Sequence, residues 1–155
     1  MKILYLSGTM FPLAVLAGAI HTGRLSREEL PGRNQLGDLL CLDIKGQEGE
    51  LIFLGKDDAG NKVYALSIKG QQDMIHRLMG SFLRIYNIQE AEVKMVDSAL
   101  QDNIFLQLGK LLFRFAPLAT VGYLLSRIGM KKIYSELGDW ALAVKRGSYK
   151  SSLTI

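Results

Sequence analysis

The stretch LIFLGKDDAGNKVYAL, residues 51–66, is the clearest short-range structural signal in the chain. Two β-rich runs, Leu51–Leu54 and Val63–Leu66, flank an Asp/Gly/Asn turn around Gly60. Two such runs about a turn of this composition are typical of a β-hairpin. The sequence therefore predicts one antiparallel strand pair near the middle of the chain.

On the N-terminal side of this hairpin, the sequence predicts a strand, a loop and a helix. Ile3–Ser7 is apolar almost throughout, as in a buried strand. The small-residue loop 8–10 follows, and Pro12 stands where a helix favours its first residue. Helical spacing of apolar residues then predicts a helix over 12–22, which ends at Gly23.

On the C-terminal side, helices dominate. The apolar spacing predicts a helix over 71–87, a buried strand at Val93–Val96 and further helices over 102–115, 117–128 and 133–145. Strands that alternate with helices around one hairpin indicate an α/β fold. We expect a single-domain three-layer sandwich with a small mixed sheet, in which parallel strands join one antiparallel hairpin. The helical C-terminal third is expected to cover one face or edge of that sheet.

The size and composition fit one globular domain. The chain has 155 residues, of which 48% are hydrophobic, so it can bury a core without a disulfide or a metal. We expect one domain over 1–147 and a flexible tail over 148–155. The lone Cys41 excludes an intramolecular disulfide and is expected to be a buried thiol. Two His and one Cys are too few for a usual zinc site, so no metal and no cofactor are predicted.

Two apolar segments raise the question of a signal or a membrane span. Lys2 precedes an apolar stretch and Ala17-Gly18-Ala19 is similar to a cleavage site, but the polar loop from Ser7 to Thr9 interrupts the run. The second segment, 115–125, is shorter than the ~20 residues that a spanning helix needs. A cytoplasmic protein without a transmembrane segment is therefore expected.

Positive charge is concentrated in the last third of the chain. The net charge is +4 overall, yet residues 104–155 carry eight Lys/Arg against two Asp/Glu. Such a segment can meet phosphate, anionic lipid or an acidic partner, or it can be only a solvated basic face. The sequence has no aromatic and glycine signature of a nucleic-acid binder, so a nucleic-acid partner is not expected.

The first loop is the best candidate ligand site. Ser7, Gly8 and Thr9 follow a predicted parallel strand, and free backbone N–H groups before a helix suit an anion. The loop lacks the residues of a Walker A or a dinucleotide fingerprint, so an ordinary turn with Thr9 as helix cap is the alternative.

Other residues are weaker candidates for the same chemistry. Asp97 ends the later strand and could act as a base or hold a metal-bound water only if that strand lies beside the first one. His21 is a candidate acid–base group or a half-buried helix-end residue, and Lys69 is a candidate ligand contact. His76 is expected at the surface.

Segments across nearly the whole chain resemble the domain-of-unknown-function 3189 family, small proteins of Gram-positive, often spore-forming bacteria. The resemblance is carried by Met1–Tyr5, Ala19-Ile20-His21-x-Gly23, the hairpin from Phe53 to Tyr64, Val96-Asp97 and the helix from Gly109 to Arg114. The hairpin is the most specific of these. The resemblance implies no assigned function.

The resemblance also implies a first loop with paired glycines, a His and two serines. This chain has other residues at those positions, namely Thr9, Met10, Pro12, Leu13 and Ala14. Further along, His21 matches, and Gly70 alone matches a Gly-Arg-Gly-Asn-like loop after the hairpin. If the family loop binds phosphate or transfers protons, this divergent member has lost the groups that would do so, because proline has no donor and no titrating group.

Three functional hypotheses remain open. The first is a non-catalytic binding member that acts as a homo-oligomer or as partner of a paralogous protein, with the apolar C-terminal helices as the interface. The second is a small phosphate- or nucleotide-binding domain, or an enzyme, with its site at the first loop. The third is peripheral membrane contact, which ranks last because 115–125 has no Lys/Arg-rich face.

Overall fold

A four-stranded mixed sheet organises the protein. The computed structural model describes residues 1–45, 49–68, 72–97 and 100–148, except for the side chains at 41–45, 72, 73 and 90. Its strands are β1 (Lys2–Ser7), β2 (Leu51–Lys56), β3 (Lys62–Ser67) and β4 (Val93–Asp97), in the order β2-β3-β1-β4. β1 pairs in parallel with β3 and β4, and β2 pairs antiparallel with β3. The predicted hairpin and the predicted parallel strands are confirmed.

Helices cover both faces of the sheet, which confirms the three-layer α/β fold. The helices are α1 (Leu13–His21), α2 (Arg33–Lys45), α3 (Gln72–Ile85), α4 (Ile104–Phe113) and α5 (Ala119–Lys145). α1 and α5 pack on one face through the larger core. α3 packs on the other face through a smaller cluster of Leu4, Leu6, Leu66 and Met95. The predicted burial of Cys41 and the predicted tail beyond Ser148 lie outside the described part of the chain.

The C-terminal third differs from the prediction in one respect. The sequence predicted two helices, over 117–128 and 133–145, but the structure has one continuous helix, α5, over Ala119–Lys145. Pro117 lies in a short 3-10 turn before it. Gly129 lies in the segment between the two predicted helices, and it is buried in α5, where its missing side chain lets α4 approach. A glycine that costs about 1 kcal/mol of helix propensity is thus retained for packing.

α4 and α5 form a helical hairpin whose backbones touch. A Cβ built on Gly122 would lie 2.5 Å from the Phe113 nitrogen and 2.7 Å from the Gly109 carbonyl oxygen. Toward the end of the hairpin away from the connection between the helices, the Asn103 side chain accepts from Leu106 N at 3.1 Å and donates to the Gly129 carbonyl at 3.1 Å. Because no large side chain fits between the two helices, their leucines, isoleucines and phenylalanines lie on the outer surfaces of the hairpin or in the core.

The close approach of α4 and α5 predicts that one methyl group added at Gly122 destabilises the fold. Gly122→Ala should lower the free energy of unfolding by about 1–3 kcal/mol, because the new Cβ meets backbone atoms that cannot turn aside. Gly37→Ala in α2 is the matched control, since its Cβ would lie 3.4 Å from the Phe113 ring and the helix gains propensity. Urea denaturation of both variants checks this, and equal stability of the two would contradict the packing described.

Candidate functional site

Three parallel strands bring polar residues to one edge of the sheet. Ser7 pairs in register with Ser67 of β3, and Leu6 pairs with Asp97 of β4. β1 and β4 are therefore neighbours, and Asp97 lies at the same edge as the first loop. The side chains diverge, however, because Ser7 faces the α1 layer, whereas Asp97 faces α3. Asp97 Oδ2 lies 3.7 Å from Nε2 of His76, a half-buried residue of α3 that the sequence placed at the surface.

The hydroxyl groups of the first loop bond to the loop itself. The Thr9 hydroxyl donates to the Phe11 carbonyl at 2.6 Å, so the Ser7 hydroxyl supplies the proton of the 2.5 Å bond between the two hydroxyls. The Thr9 backbone N–H donates to Ser7 Oγ at 3.3 Å. Both hydroxyl protons are thus used in hydrogen bonds within the turn. Gly8 is exposed at the tip of this turn.

A carboxylate of the chain itself lies where an anion would approach α1. Asp102 Oδ2 accepts the Phe11 backbone N–H at 2.7 Å, and Gln107 Nε2 donates to Asp102 Oδ1 at 3.1 Å. Lys110 Nζ donates to the Met10 carbonyl at 2.8 Å. Pro12, the residue before the helix, has no N–H to offer. An incoming phosphate would therefore meet a negative charge at this helix start.

His21 lies at the opposite end of α1 from the first loop. A nine-residue helix spans about 13 Å, so the structure does not bring His21 together with Ser7, Gly8 and Thr9. Its Nδ1 lies 2.6 Å from the Tyr5 hydroxyl and its Nε2 lies 3.2 Å from Asp57 Oδ2, in the β2–β3 turn. Since the carboxylate can only accept, Nε2 carries the proton and the Tyr5 hydroxyl donates to Nδ1.

The Tyr5–His21–Asp57 chain is a structural network. The His21 side chain is 0% exposed and that of Asp57 is 4% exposed, so both groups are buried and bonded to other parts of the fold. Asp57 also accepts from the backbone and side-chain nitrogens of Asn61 at 2.8 and 2.9 Å, which fixes the hairpin turn. The Trp140 ring packs edge-on against Tyr5 with centroids 5.1 Å apart. The network thereby ties the hairpin to α1 and α5.

Burial and hydrogen bonding set the charge states of this network. Burial lowers the pKa of His21 below its ordinary value, although the hydrogen bond and charge of Asp57 act in the opposite direction. Burial tends to raise the pKa of Asp57, but hydrogen bonds from Asn61 and His21 outweigh it and leave that pKa lowered. Burial raises the pKa of Tyr5 far above the physiological range. At neutral pH the network therefore holds a neutral imidazole beside a carboxylate.

Lys69, the remaining predicted ligand residue, lies outside the described residues, between β3 and α3. Within the described parts of the chain, no group of three or more His, Cys, Asp or Glu residues is arranged to hold a metal ion. Sequence reasoning missed Asp102 and His76, because each meets its partner across a long stretch of chain and no local pattern marks either contact.

Among the described residues, a large group of exposed apolar side chains lies on the outer side of the α4–α5 hairpin. With Phe105 beside Ile104 at one end, these side chains recur at intervals of three and four residues along each helix and into the connection between them, which makes one stripe per helix. We call this surface the hairpin face. It consists of nine exposed residues: Ile104, Phe105, Leu108, Leu111, Phe115, Leu118, Val121, Leu124 and Ile128. In the described chain, no helix is both long and apolar enough to cross a membrane.

A family model matches residues 2–146, nearly the whole described fold, under the description protein of unknown function, DUF3189. The chain belongs to this family. No curated protein and no solved structure matches it. Membership therefore confirms the resemblance and assigns no reaction, ligand or partner to DUF3189 proteins.

The buried His21 predicts an acid-sensitive fold. Because its folded pKa is lowered, the stability it contributes is present above the unfolded pKa of about 6.5 and falls as pH drops below it. The slope is at most about 1.4 kcal/mol per pH unit, that of one proton. Urea denaturation between pH 7.5 and 5.5 measures it, and His21→Gln should be less stable at pH 7.5 but flatter across the range. An equal slope in both proteins would contradict the network described.

Proposed function

We propose that this DUF3189 protein is a non-catalytic binding member that holds a protein partner on its hairpin face. One observation carries the proposal: nine large apolar side chains stand exposed together on one element. At their exposures they leave roughly 800 Å² of apolar surface in water, above the ~300–600 Å² of the largest patch on a typical monomer. Exposed apolar patches above that range are typical of interaction sites.

The geometry of the first loop supports the same proposal. The hydroxyls of Ser7 and Thr9 bond within the turn, and Asp102 takes the Phe11 N–H. His21 is enclosed between Tyr5 and Asp57. These hydrogen bonds within the fold support a binding role over a catalytic one, as does the large exposed surface of the C-terminal helices.

The proposal predicts that partner binding follows the hairpin face and not the first loop. A Leu111→Gln/Leu124→Gln variant should lose the partner recovered from a native lysate, because both side chains lie on the stripes, 48% and 52% exposed. Leu78→Gln/Ile85→Gln on α3, at 63% and 78% exposure, is the matched control and should retain it. Thr9→Ala should also retain it.

The recovered protein is then identified, purified and titrated against the same variants. A second copy of this chain counts as a partner in this test. Equal binding by the hairpin variant and the α3 variant, or no partner for the native protein and every variant, would contradict the proposal.

The second candidate is a phosphate- or nucleotide-binding site at the first loop. The adjacency of β1 and β4 favours it, since that pairing brings Ser7, Gly8, Thr9 and Asp97 to one edge of the sheet. The carboxylate of Asp102 at the same place opposes it.

Thermal shifts with inorganic phosphate and nucleotides separate the two functions. A ligand at about 100 times its Kd would add about 2.7 kcal/mol, or very roughly 5–10 °C for this size. We expect no shift for the native chain, because Asp102 repels the anion. A shift that Thr9→Ala abolishes would place the ligand-binding function first.

A further inference from the structure

The hairpin face is amphipathic in a way that limits its partners. Residues 104–132 contain five Lys/Arg and no Asp/Glu. Arg114, Arg127 and Lys131 are exposed beside the stripes of their helices, and Lys132 lies at one end with its ammonium 5.5 Å from the centre of the Phe105 ring. The apolar stripes are therefore continuous, and the cations form a rim around them.

The opposite side of the hairpin is already occupied. Leu106 of α4 and Met130 of α5 are fully buried in the main core, and Tyr134 continues that contact along α5. The glycine contacts hold the two helices side by side as a flat plate. One side of the plate packs on α1 and the main core, and among the described residues nothing covers the other side, the hairpin face.

We propose that a second copy of this chain covers the hairpin face, in an isologous dimer whose two hairpins stack as a four-helix layer. This inference rests on the proposed function and names its partner. The face leaves roughly 800 Å² uncovered, which equals the ~800 Å² that each partner contributes to a standard interface. Two stripes at four- and three-residue spacing on antiparallel helices are the pattern by which helix pairs pack into four-helix bundles.

Self-association also fits the chemistry of the face. A two-fold interface brings the same patch together from both subunits, so the patch must complement itself. An all-apolar pair of stripes does so, since it leaves no buried donor, acceptor or charge without a partner. The cations stay at the rim in water, where like charges repel weakly and salt screens them.

Because the rim is positively charged, the salt dependence of association distinguishes the possible occupants of the hairpin face. A second copy brings like charges together, so raising NaCl from 50 to 500 mM should tighten the dimer. An acidic partner or an anionic membrane would be released by the same change, because its attraction to the rim is screened. The sign of the salt effect therefore separates the occupants.

Sedimentation equilibrium of the purified full chain tests the dimer directly. We expect a species of twice the 17.2 kDa chain mass, with a Kd that falls as salt rises. Leu111→Gln/Leu124→Gln should raise that Kd at least about 100-fold, because each lost side chain counts twice across a two-fold interface. Leu78→Gln/Ile85→Gln should leave the Kd unchanged. Circular dichroism of both variants confirms that each is folded.

Three outcomes would overturn the inference. The first is a native chain that stays monomeric at 100 µM. The second is a dimer that the α3 variant breaks and the hairpin variant does not. The third is salt-reversible sedimentation of the native chain with vesicles of 70% phosphatidylcholine and 30% phosphatidylglycerol, lost in the hairpin variant. A monomer that still binds another protein through Leu111 and Leu124 would contradict the inferred dimer but would support the proposed function.

Discussion

The contact between the backbones of α4 and α5 is the constraint on which the C-terminal half depends. At Gly109 and Gly122 the helices approach so closely that a single methyl group on either would overlap backbone atoms of the other. That approach leaves no interior between the helices, so apolar side chains must point either into the domain core or into solvent. Leu106 and Met130 take the first direction, and the residues of the hairpin face take the second.

The segment that leads into α4 connects this hairpin with the sheet edge. Asp102 holds the Phe11 N–H, Asn103 holds the Gly129 carbonyl, and Lys110 holds the Met10 carbonyl. The position of the hairpin and the closed form of the first loop are therefore set by the same few contacts. The loop that suggested an anion site in the sequence is, in the fold, the place where the helical hairpin is anchored.

Local patterns predicted most of the fold. The turn around Gly60, the apolar run Ile3–Ser7 and the helical spacing of α3 each identify one element from adjacent residues, and the structure has all three. The sequence predicted two helices, over 117–128 and 133–145, where α5 is continuous, because the packing of α4 against Gly122 and Gly129 leaves no local pattern. The helical spacing of α3 also did not indicate which of its apolar residues are covered: Ile75, Met79 and Leu83 pack inward, and Leu78 and Phe82 are exposed.

The candidate sites were harder to predict, since each depends on contacts between distant parts of the chain. The partnership of His21 with Asp57 joins residues 36 positions apart, and that of Phe11 with Asp102 joins residues 91 apart. Local residue spacing in the sequence does not predict such pairs. The basic and apolar character of 104–132 was visible in the sequence, but which side chains stay exposed follows only from the glycine contacts.

Hydrogen–deuterium exchange of the purified chain at low and high protein concentration measures whether the hairpin face is covered by binding. Amides exchange through local opening, which a covered face suppresses. We expect peptides from 104–132 to gain protection as the protein concentration rises, while peptides from α3 do not change. Protection gained on α3 instead, or no change in 104–132 across the concentration range, would contradict binding of a second copy through the hairpin face.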